Sequence, residues 1–288
     1  MAVTGINAVP ITDADVRRVG EFLHVHLNRR VTADQWARAI NVPWAVDKPN
    51  NGFMLLDDDV VVGAQLAFYS ERTIAGRSEA FCNLGAWCVL PGYRFHSLRL
   101  LKAVLAQPGY HFTDLSPSGN VVEVNGMLNF HSLDAATALV PNIPWPSWPG
   151  RYVISSDPGL IGRTLTGRDL DLYHDHASTA AARHLVLISD DEWCYVVFRK
   201  DRWKRLPLFV SMLHVSNPAL FRRMAHPLAR HLLLRHRAVG TLAEDRVVGQ
   251  RPRFSLRVRP PRRRMIRSRH LVPAQIDYLY SELVCVSW

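Results

Sequence analysis

Two stretches of this chain repeat one order of elements, and that order leaves few folds open. In the first, the apolar strand pair GFMLLDD and VVVGAQLAFYSER leads to a third strand, EAFCNLGAWCVLP, and then to the basic amphipathic helix HSLRLLKAVLAQ. In the second, LVLISDD, EWCYVVFRKD and LPLFVSMLHVS lead to the long helix NPALFRRMAHPLARHLLLRH. Short β-branched and aromatic runs bounded by turn residues read as strands, and the 3.6-residue apolar period that follows each reads as a helix. One supersecondary unit written twice predicts a diverged internal duplication.

Helices precede each strand set. Thr12 or Asp13 caps TDADVRRVGEFLHVHL, whose apolar stripe is Val16, Val19, Phe22 and Leu23. A second helix spans Thr32 to Ile40, and DLDLYHDHAS forms one in the second half. After the first basic helix come the strand YHFTDLS and the helix NVVEVNGMLNF; after the second, a strand pair around TLAEDRVVG and FSLRVR, a helix VPAQIDYLYSEL and a closing strand LVCVSW. Helix, helix, three strands, helix, strand, helix is a mixed α/β (α+β) order, not a regular βαβ repeat. The segment PNIPWPSWPG has four prolines and two tryptophans, and successive X-Pro units suit neither helix nor central strand. The expected division is therefore residues 1–140, a Pro/Trp-rich linker at 141–150, and residues 151–288.

No apolar run reaches the length of a membrane span, and the N-terminus has no basic start with a long apolar segment behind it. The cysteines Cys82, Cys88, Cys194 and Cys285 are scattered through apolar runs without a CxxC pair, which predicts reduced thiols, a cytoplasmic protein and no structural zinc site. Charge is unevenly placed. Residues 1–150 hold 11 Lys+Arg against 13 Asp+Glu, whereas residues 151–288 hold 24 against 12. The run from Arg251 to His270 carries nine arginines and no acid, a pattern that attracts polyanions. Its candidate contacts are Arg251, Arg253, Arg257, Arg259, Arg262, Arg263, Arg264, Arg267 and Arg269, with the alternation RFSLRVR turning Phe254, Leu256 and Val258 inward.

From about Ile11 to Leu133 the chain resembles the GNAT superfamily of N-acyltransferases. The resemblance rests on the pair GFMLLDD/VVVGAQLAFY, on the strand-loop-helix CVLPGYRFHSLRLLKAVL, and on HFTDLSPSGNVVEVNGMLNF with Asn120 and Leu128-Asn129-Phe130 at the family's places. The second half looks like a more degenerate copy. The resemblance implies two GNAT-like domains in tandem, each a central, mostly antiparallel sheet flanked by helices. It implies an acyltransferase that forms an amide with an amine of a small molecule or peptide. It also implies that the donor's carbonyl meets backbone N–H groups at Trp87, Cys88 and Val89, where a free N–H steadies the developing oxyanion.

The next loop in such proteins carries glycines that admit coenzyme A pyrophosphate. Here Ser97 and Arg99 stand in their places, leaving Arg94, His96 and Arg99 to offer charge instead. The family's tyrosine, which protonates the leaving thiolate, falls on Asn125, and asparagine has no proton of useful acidity. Acyl-CoA therefore shares the donor role with aminoacyl-tRNA, whose body the arginine run would hold; an acyl carrier protein is a third donor. No tightly bound cofactor is expected. A catalytically silent GNAT-like module that binds nucleic acid or acts as a scaffold is the competing reading.

Glu79, Asp114 and His131 are the candidate general bases, since an ammonium acceptor must lose a proton before attack. Cys88, in an apolar strand with no base beside it, reads as an inert thiol. His174-Asp175-His176 diverge around a helix and lack a third ligand, so they read as a solvated helix face and no metal is expected. Trp44, Trp145, Trp148 and Trp193 either line a pocket or staple loops to the core.

Overall fold

The structure, a computed structural model, describes residues 5–146, 152–203 and 206–287. The chain divides into two compact units, Met1–Leu133 with Arg263–Gln275 and Tyr280–Trp288, and Asp134–Arg262 with Ile276–Leu279. This division differs from one placed at 141–150. Strand pairing explains why: Thr137–Pro141 joins the sheet of the second unit, and Met265–Arg267 returns to the sheet of the first. Trp148 lies outside the described residues.

In the first unit β1 (Asn7–Pro10) precedes α1 (Val16–His26) and α2 (Ala33–Ile40). Thr32 and Gln35 cap α2 reciprocally, the Thr32 hydroxyl accepting from the Gln35 N–H while the Gln35 carbonyl accepts from the Thr32 N–H at 2.8 Å. The stripe Val16, Val19, Phe22 and Leu23 is buried as its spacing predicts. The meander β2 (Gly52–Asp57), β3 (Val60–Ile74) and β4 (Arg77–Val89) follows, then α3 (Ser97–Leu105), β5 (His111–Asp114), α4 (Val121–Met127) and β6 (His131–Ser132).

The second unit runs β7 (Thr137–Pro141), β8 (Tyr152–Ser155), α5 (Pro158–Thr164), α6 (Gly167–His176), then β9 (Ala182–Ser189), β10 (Glu192–Trp203) and β11 (Leu206–Val215). It continues with α7 (Pro218–Arg223), α8 (Ala225–His236), β12 (Gly240–Glu244), α9 (Asp245–Val248) and β13 (Leu256–Arg257). The chain ends with β14 (Met265–Arg267) and α10 (Glu282–Cys285).

The two sheets have one topology. Their orders are β1-β2-β3-β4-β5-β14-β6 and, read from the same end, β8-β9-β10-β11-β12-β7-β13. In each, only the fourth and fifth strands run parallel, β4 with β5 and β11 with β12; every other pair is antiparallel. The sixth position of each sheet is filled by a strand from the other half of the chain. This is the expected duplication, with one strand exchanged in both directions.

Three sequence expectations are corrected. DRVV is helix α9 rather than strand, because Glu244 ends β12 and Gly249 supplies a left-handed stop at φ 83°. RFSLRVR is not an alternating strand: only Leu256 and Arg257 pair, and Phe254 and Leu256 are exposed. The closing segment holds neither the expected helix over VPAQIDYLYSEL nor the strand LVCVSW: Pro273–Gln275 is a short 3₁₀ turn, and ELVC forms α10, capped by Ser281 and buried on every residue.

Candidate active site

The parallel pair β4/β5 opens into a fork. Pairing runs from Phe81↔His111 to Leu84↔Asp114 and stops, while β4 continues through Gly85 to Val89. Beyond Leu84, β4 keeps only its antiparallel neighbour β3. There the register jumps from Leu66↔Gly85 to Ala64↔Cys88, so that Ala86 and Trp87 together oppose Gln65. This is a β-bulge, and Ala86 takes the left-handed backbone it requires, at φ 47°. A bulge at a strand edge re-aims peptide groups, and this edge of β4 no longer has β5 to pair with.

A cleft of about 310 Å³ lies in the fork, lined by Gln65, Gly85, Ala86, Trp87, Asp114 and Ser116, among others. Two polar atoms of its lining residues, Gln65 Oε1 and Trp87 Nε1, are buried and have no protein hydrogen-bond partner. One accepts and one donates, and each is costly to leave unpaired unless a ligand or water meets it. Gly85 is held to glycine by crowding: a Cβ there would stand 2.8 Å from Phe68 Cε2 and 3.2 Å from Glu282 Cβ.

Asp114 is the acid of this cleft. It ends β5 and is buried; it accepts from Asn125 Nδ2 at 2.8 Å and, weakly, from the Ser116 N–H at 3.3 Å. Burial first, then the Glu282 charge, pushes its carboxyl up to about 7 against the Asn125 and Ser116 hydrogen bonds and the Arg264 charge. Its surroundings are held in place. Arg264 is buried and donates to the Leu115 carbonyl, and Ser116 Oγ donates to Glu282 Oε1 at 2.7 Å. Asn83 donates to Thr113 Oγ1 at 3.1 Å and accepts from the Glu282 N–H at 3.1 Å, tying β4, β5 and α10 together.

Of the three expected bases, only Asp114 stands at the cleft. Glu79 lies six residues before Gly85 on β4, about 20 Å away along an extended strand. There it is hydrogen-bonded by His111 and His270, which hold its carboxyl below the usual carboxylate range. His131 is exposed on β6, on the outer edge of the sheet.

The donor-side residues divide in the same way. Trp87 lines the cleft, Cys88 and Val89 pair with Ala64 and Gly63, and Val89 packs with Leu55, Val62 and Leu100. Burial raises the Cys88 thiol, so it is no ready nucleophile. Asn125 is fully buried, its amide orienting Asp114. Asn120 sits before α4 with its side chain exposed and makes no cap hydrogen bond. PGYRFH, expected as a loop, is a turn of 3₁₀ helix. Within it the Tyr93 N–H bonds to Leu90 O and the Ser97 N–H to Arg94 O, which takes those donors from an anion. Arg99 is drawn off as well, donating to the Ile6 carbonyl at 2.6 Å. Arg94 and His96 stay at the surface of this turn.

The arginine run is divided between the two units. Arg251–Arg262 belong to the second unit and Arg263–Arg269 to the first. Arg262 pairs with Asp201 at 2.6 Å, Arg257 with Asp245 at 3.4 Å, and Arg251 is bonded to Ser255, while Arg264 is buried. Arg253 and Arg267 lie over Phe254 and Phe112. The local carboxylates that the sequence run lacked are thus supplied by distant segments.

The remaining candidates fall elsewhere. Trp44 is buried and donates to Tyr69 O at 2.8 Å, a staple in the core. Trp145 stacks on His226 with ring centroids 4.3 Å apart and borders a cavity of about 710 Å³ in the second unit. Trp193 pairs with Ile188 between β10 and β9. His176 is not on a solvated face: it is buried, with Nδ1 bonded to Leu172 O at 2.8 Å.

No protein-family model matches this sequence, and no curated protein matches it. Solved structures do match the fold. A GCN5-related N-acetyltransferase from Anabaena variabilis aligns over 91% of this chain and 72% of its own, with TM-score 0.59 and 11% identity. One from Kribbella flavida aligns over 92% and 72%, with TM-score 0.54 and 16% identity. N-myristoyltransferase from Saccharomyces cerevisiae, solved with bound myristoyl-CoA, aligns over 92% and 83%, with TM-score 0.54 and 9% identity. The fold is the GNAT fold, in tandem. Within the described residues of this GNAT-fold protein, no helix is long and apolar enough to cross a membrane.

The site holds residues that sequence reasoning passed over: Gln65, Gly85, Ala86, Ser116 and Glu282. Ala86 gives no sign in sequence of a left-handed backbone, and Glu282 is 168 residues from Asp114 along the chain. Gly85 was the one legible signal, a glycine inside an apolar strand, which marks a bulge or a close approach.

Proposed function

We propose that the first unit transfers an acyl group from a coenzyme A thioester to an amine, with Asp114 as general base. The observation that carries this reading is a buried carboxyl of pKa about 7 at the tip of β5, beside an open bulge on β4. A base poised near neutrality takes the proton of an incoming ammonium without being permanently ionised. The amine nitrogen then attacks the thioester carbonyl. The C–N bond forms, the carbonyl oxygen takes negative charge against the re-aimed peptide N–H groups around Ala86, and the C–S bond breaks as that charge returns. Asp114 passes the ammonium proton to solvent, then takes the second nitrogen proton from the tetrahedral intermediate and delivers it to the thiolate. Gln65 Oε1 and Trp87 Nε1 are the partners this reading assigns to the polar groups of acceptor and donor. No covalent enzyme intermediate is needed, since holding the two reactants together supplies much of the acceleration.

Coenzyme A is chosen over charged tRNA because the arginines thought to hold tRNA are divided between two units and partly paired. The test is binding of acyl-CoA and of charged tRNA, side by side over a range of salt, with thiol release measured for a panel of amines. Saturable acyl-CoA binding with amine-dependent thiol release is expected. Salt-sensitive tRNA binding without any acyl-CoA response would reverse the donor assignment.

A further inference from the structure

At the opposite end of β4 from the cleft, three chain segments bring metal-ligating groups together. Glu79 stands on β4, His111 opens β5, and His270 follows β14. His111 Nε2 lies 3.0 Å from Glu79 Oε2, and His270 Nε2 lies 3.0 Å from Glu79 Oε1. The three ligand atoms are all within 4.8 Å of one another, and the two imidazole rings meet nearly at right angles, centroids 4.9 Å apart. We infer that Glu79, His111 and His270 form a Zn²⁺ site that fastens the segment after β14 to the first sheet.

The geometry is close to what the ion demands. Zn–N and Zn–O bonds of about 2.0–2.1 Å at tetrahedral angles place ligand atoms about 3.3 Å apart. His111 Nε2 stands 3.0 Å from one Glu79 oxygen and His270 Nε2 3.0 Å from the other, and the three ligand atoms, within 4.8 Å of one another, draw together if His270 swings inward. That movement is open to it, because the His270 side chain is 55% exposed, while those of His111 and Glu79 are 8% and 13% exposed. Two ligands are therefore largely buried and one is exposed. Two imidazoles and one carboxylate are hard-to-borderline donors suited to zinc, and zinc stands high in the affinity order of divalent ions.

Arg72 is cross-strand from Glu79. Its guanidinium lies over the Phe81 and Tyr280 rings, 4.2 and 5.3 Å from their centroids. His111 lies three residues before Asp114 on β5, about 10 Å along the strand, too far for an ion held there to touch the reacting groups. Its effect is on stability, since an ion bound by the folded chain and not by the unfolded one shifts the equilibrium toward the fold.

The experiment uses the full chain, stripped with chelator and desalted, then titrated with Zn²⁺ against a chromophoric chelator while Tm is followed. One Zn²⁺ per chain and a raised Tm are expected. With Co²⁺ in its place, visible bands of tetrahedral intensity are expected. His270→Ala and Glu79→Gln should each weaken Zn²⁺ by about 100-fold or more, above the cost of changing an outer partner. The exposed His270 can be removed without disturbing the core, so the Tm of His270→Ala in chelator reports that it is folded. Absence of stoichiometric binding to the unaltered chain overturns the inference. So does Zn²⁺ binding that persists undiminished in both variants, since the remaining histidines would then hold the ion.

Discussion

The fork of β4 with β5 and the fork of β11 with β12 occupy the same place in two sheets of identical order, yet their surroundings differ. Both carry an irregularity on the longer strand. In the first, Ala86 sits in a left-handed backbone; in the second, Leu213 is the extra residue and stays out of that region. Both have a buried acid at the tip of the shorter strand. Asp114 opens onto a cleft with unpaired polar atoms around it, whereas Glu244 accepts from the Tyr278 hydroxyl. The Ser216 hydroxyl at the end of β11 is likewise occupied, accepting from the Tyr195 N–H at 2.8 Å. Topology was copied; the left-handed bulge was not, while buried polar atoms without a hydrogen-bond partner occur beside both forks, Gln65 Oε1 and Trp87 Nε1 at the first and His214 Nε2 and Asp245 Oδ1 at the second. A shared fold therefore says little about which copy acts, and the site must be argued residue by residue.

The sharpest way to break this comparison is to remove each acid in turn. Asp114→Asn is expected to lower kcat/KM by about 10²–10⁴-fold, the usual worth of a general base, in a thiol-release assay. Glu244→Gln, which keeps an acceptor for Tyr278, should leave the rate nearly unchanged. Equal losses in both variants would mean that the second fork also acts.

The pH dependence refines the same contrast. The rate should rise with pH through an inflection near 7 as Asp114 loses its proton, and Glu282→Gln should move that inflection down by removing a like charge. Stability should run the other way. The unfolded carboxyl releases its proton near 3.8 and the folded one near 7, so between those values the folded state binds more protons. This contribution is present in full below about 4 and is lost as pH rises toward 7. Urea midpoints of the unaltered chain and Asp114→Asn across that window should therefore diverge; parallel curves would show that Asp114 is not perturbed.

A smaller effect is expected from Gly85→Ala. The new methyl meets Phe68 and the Glu282 Cβ, and overpacking of this kind costs about 1–3 kcal/mol, read from a urea midpoint. Acyl transfer should fall with it, because the bulge must shift. Smallest is Arg262→Ala in the second unit. Asp201 keeps Arg199 at 3.2 Å, so the loss should be about 1 kcal/mol with no change in rate.

The repeated strand-strand-strand-helix order, the apolar stripe of α1 and the Thr32 cap were all legible, because each depends on residues within one or two turns of each other. Asp114 was legible as a strand-end acid, but so were Glu79 and His131 at comparable positions. What separated them was burial and the company of Asn125 and Glu282, set by segments up to 168 residues away. Gly92-Tyr93-Arg94 looked like a loop waiting for an anion because the sequence does not reveal that its N–H groups close a 3₁₀ turn. The arginine run showed its charge but not its partners: Asp201 and Asp245 come from other elements.

By itself, then, the sequence determined a duplicated mixed α/β chain and the strand on which acyl transfer would be sought, since hydrophobic periodicity is local and survives divergence. The tertiary structure alone decided the exchange of β7 and β14, the left-handed turn at Ala86 and the raised pKa of Asp114. Each of these depends on long-range pairing and on the exclusion of water, which no short stretch of sequence encodes.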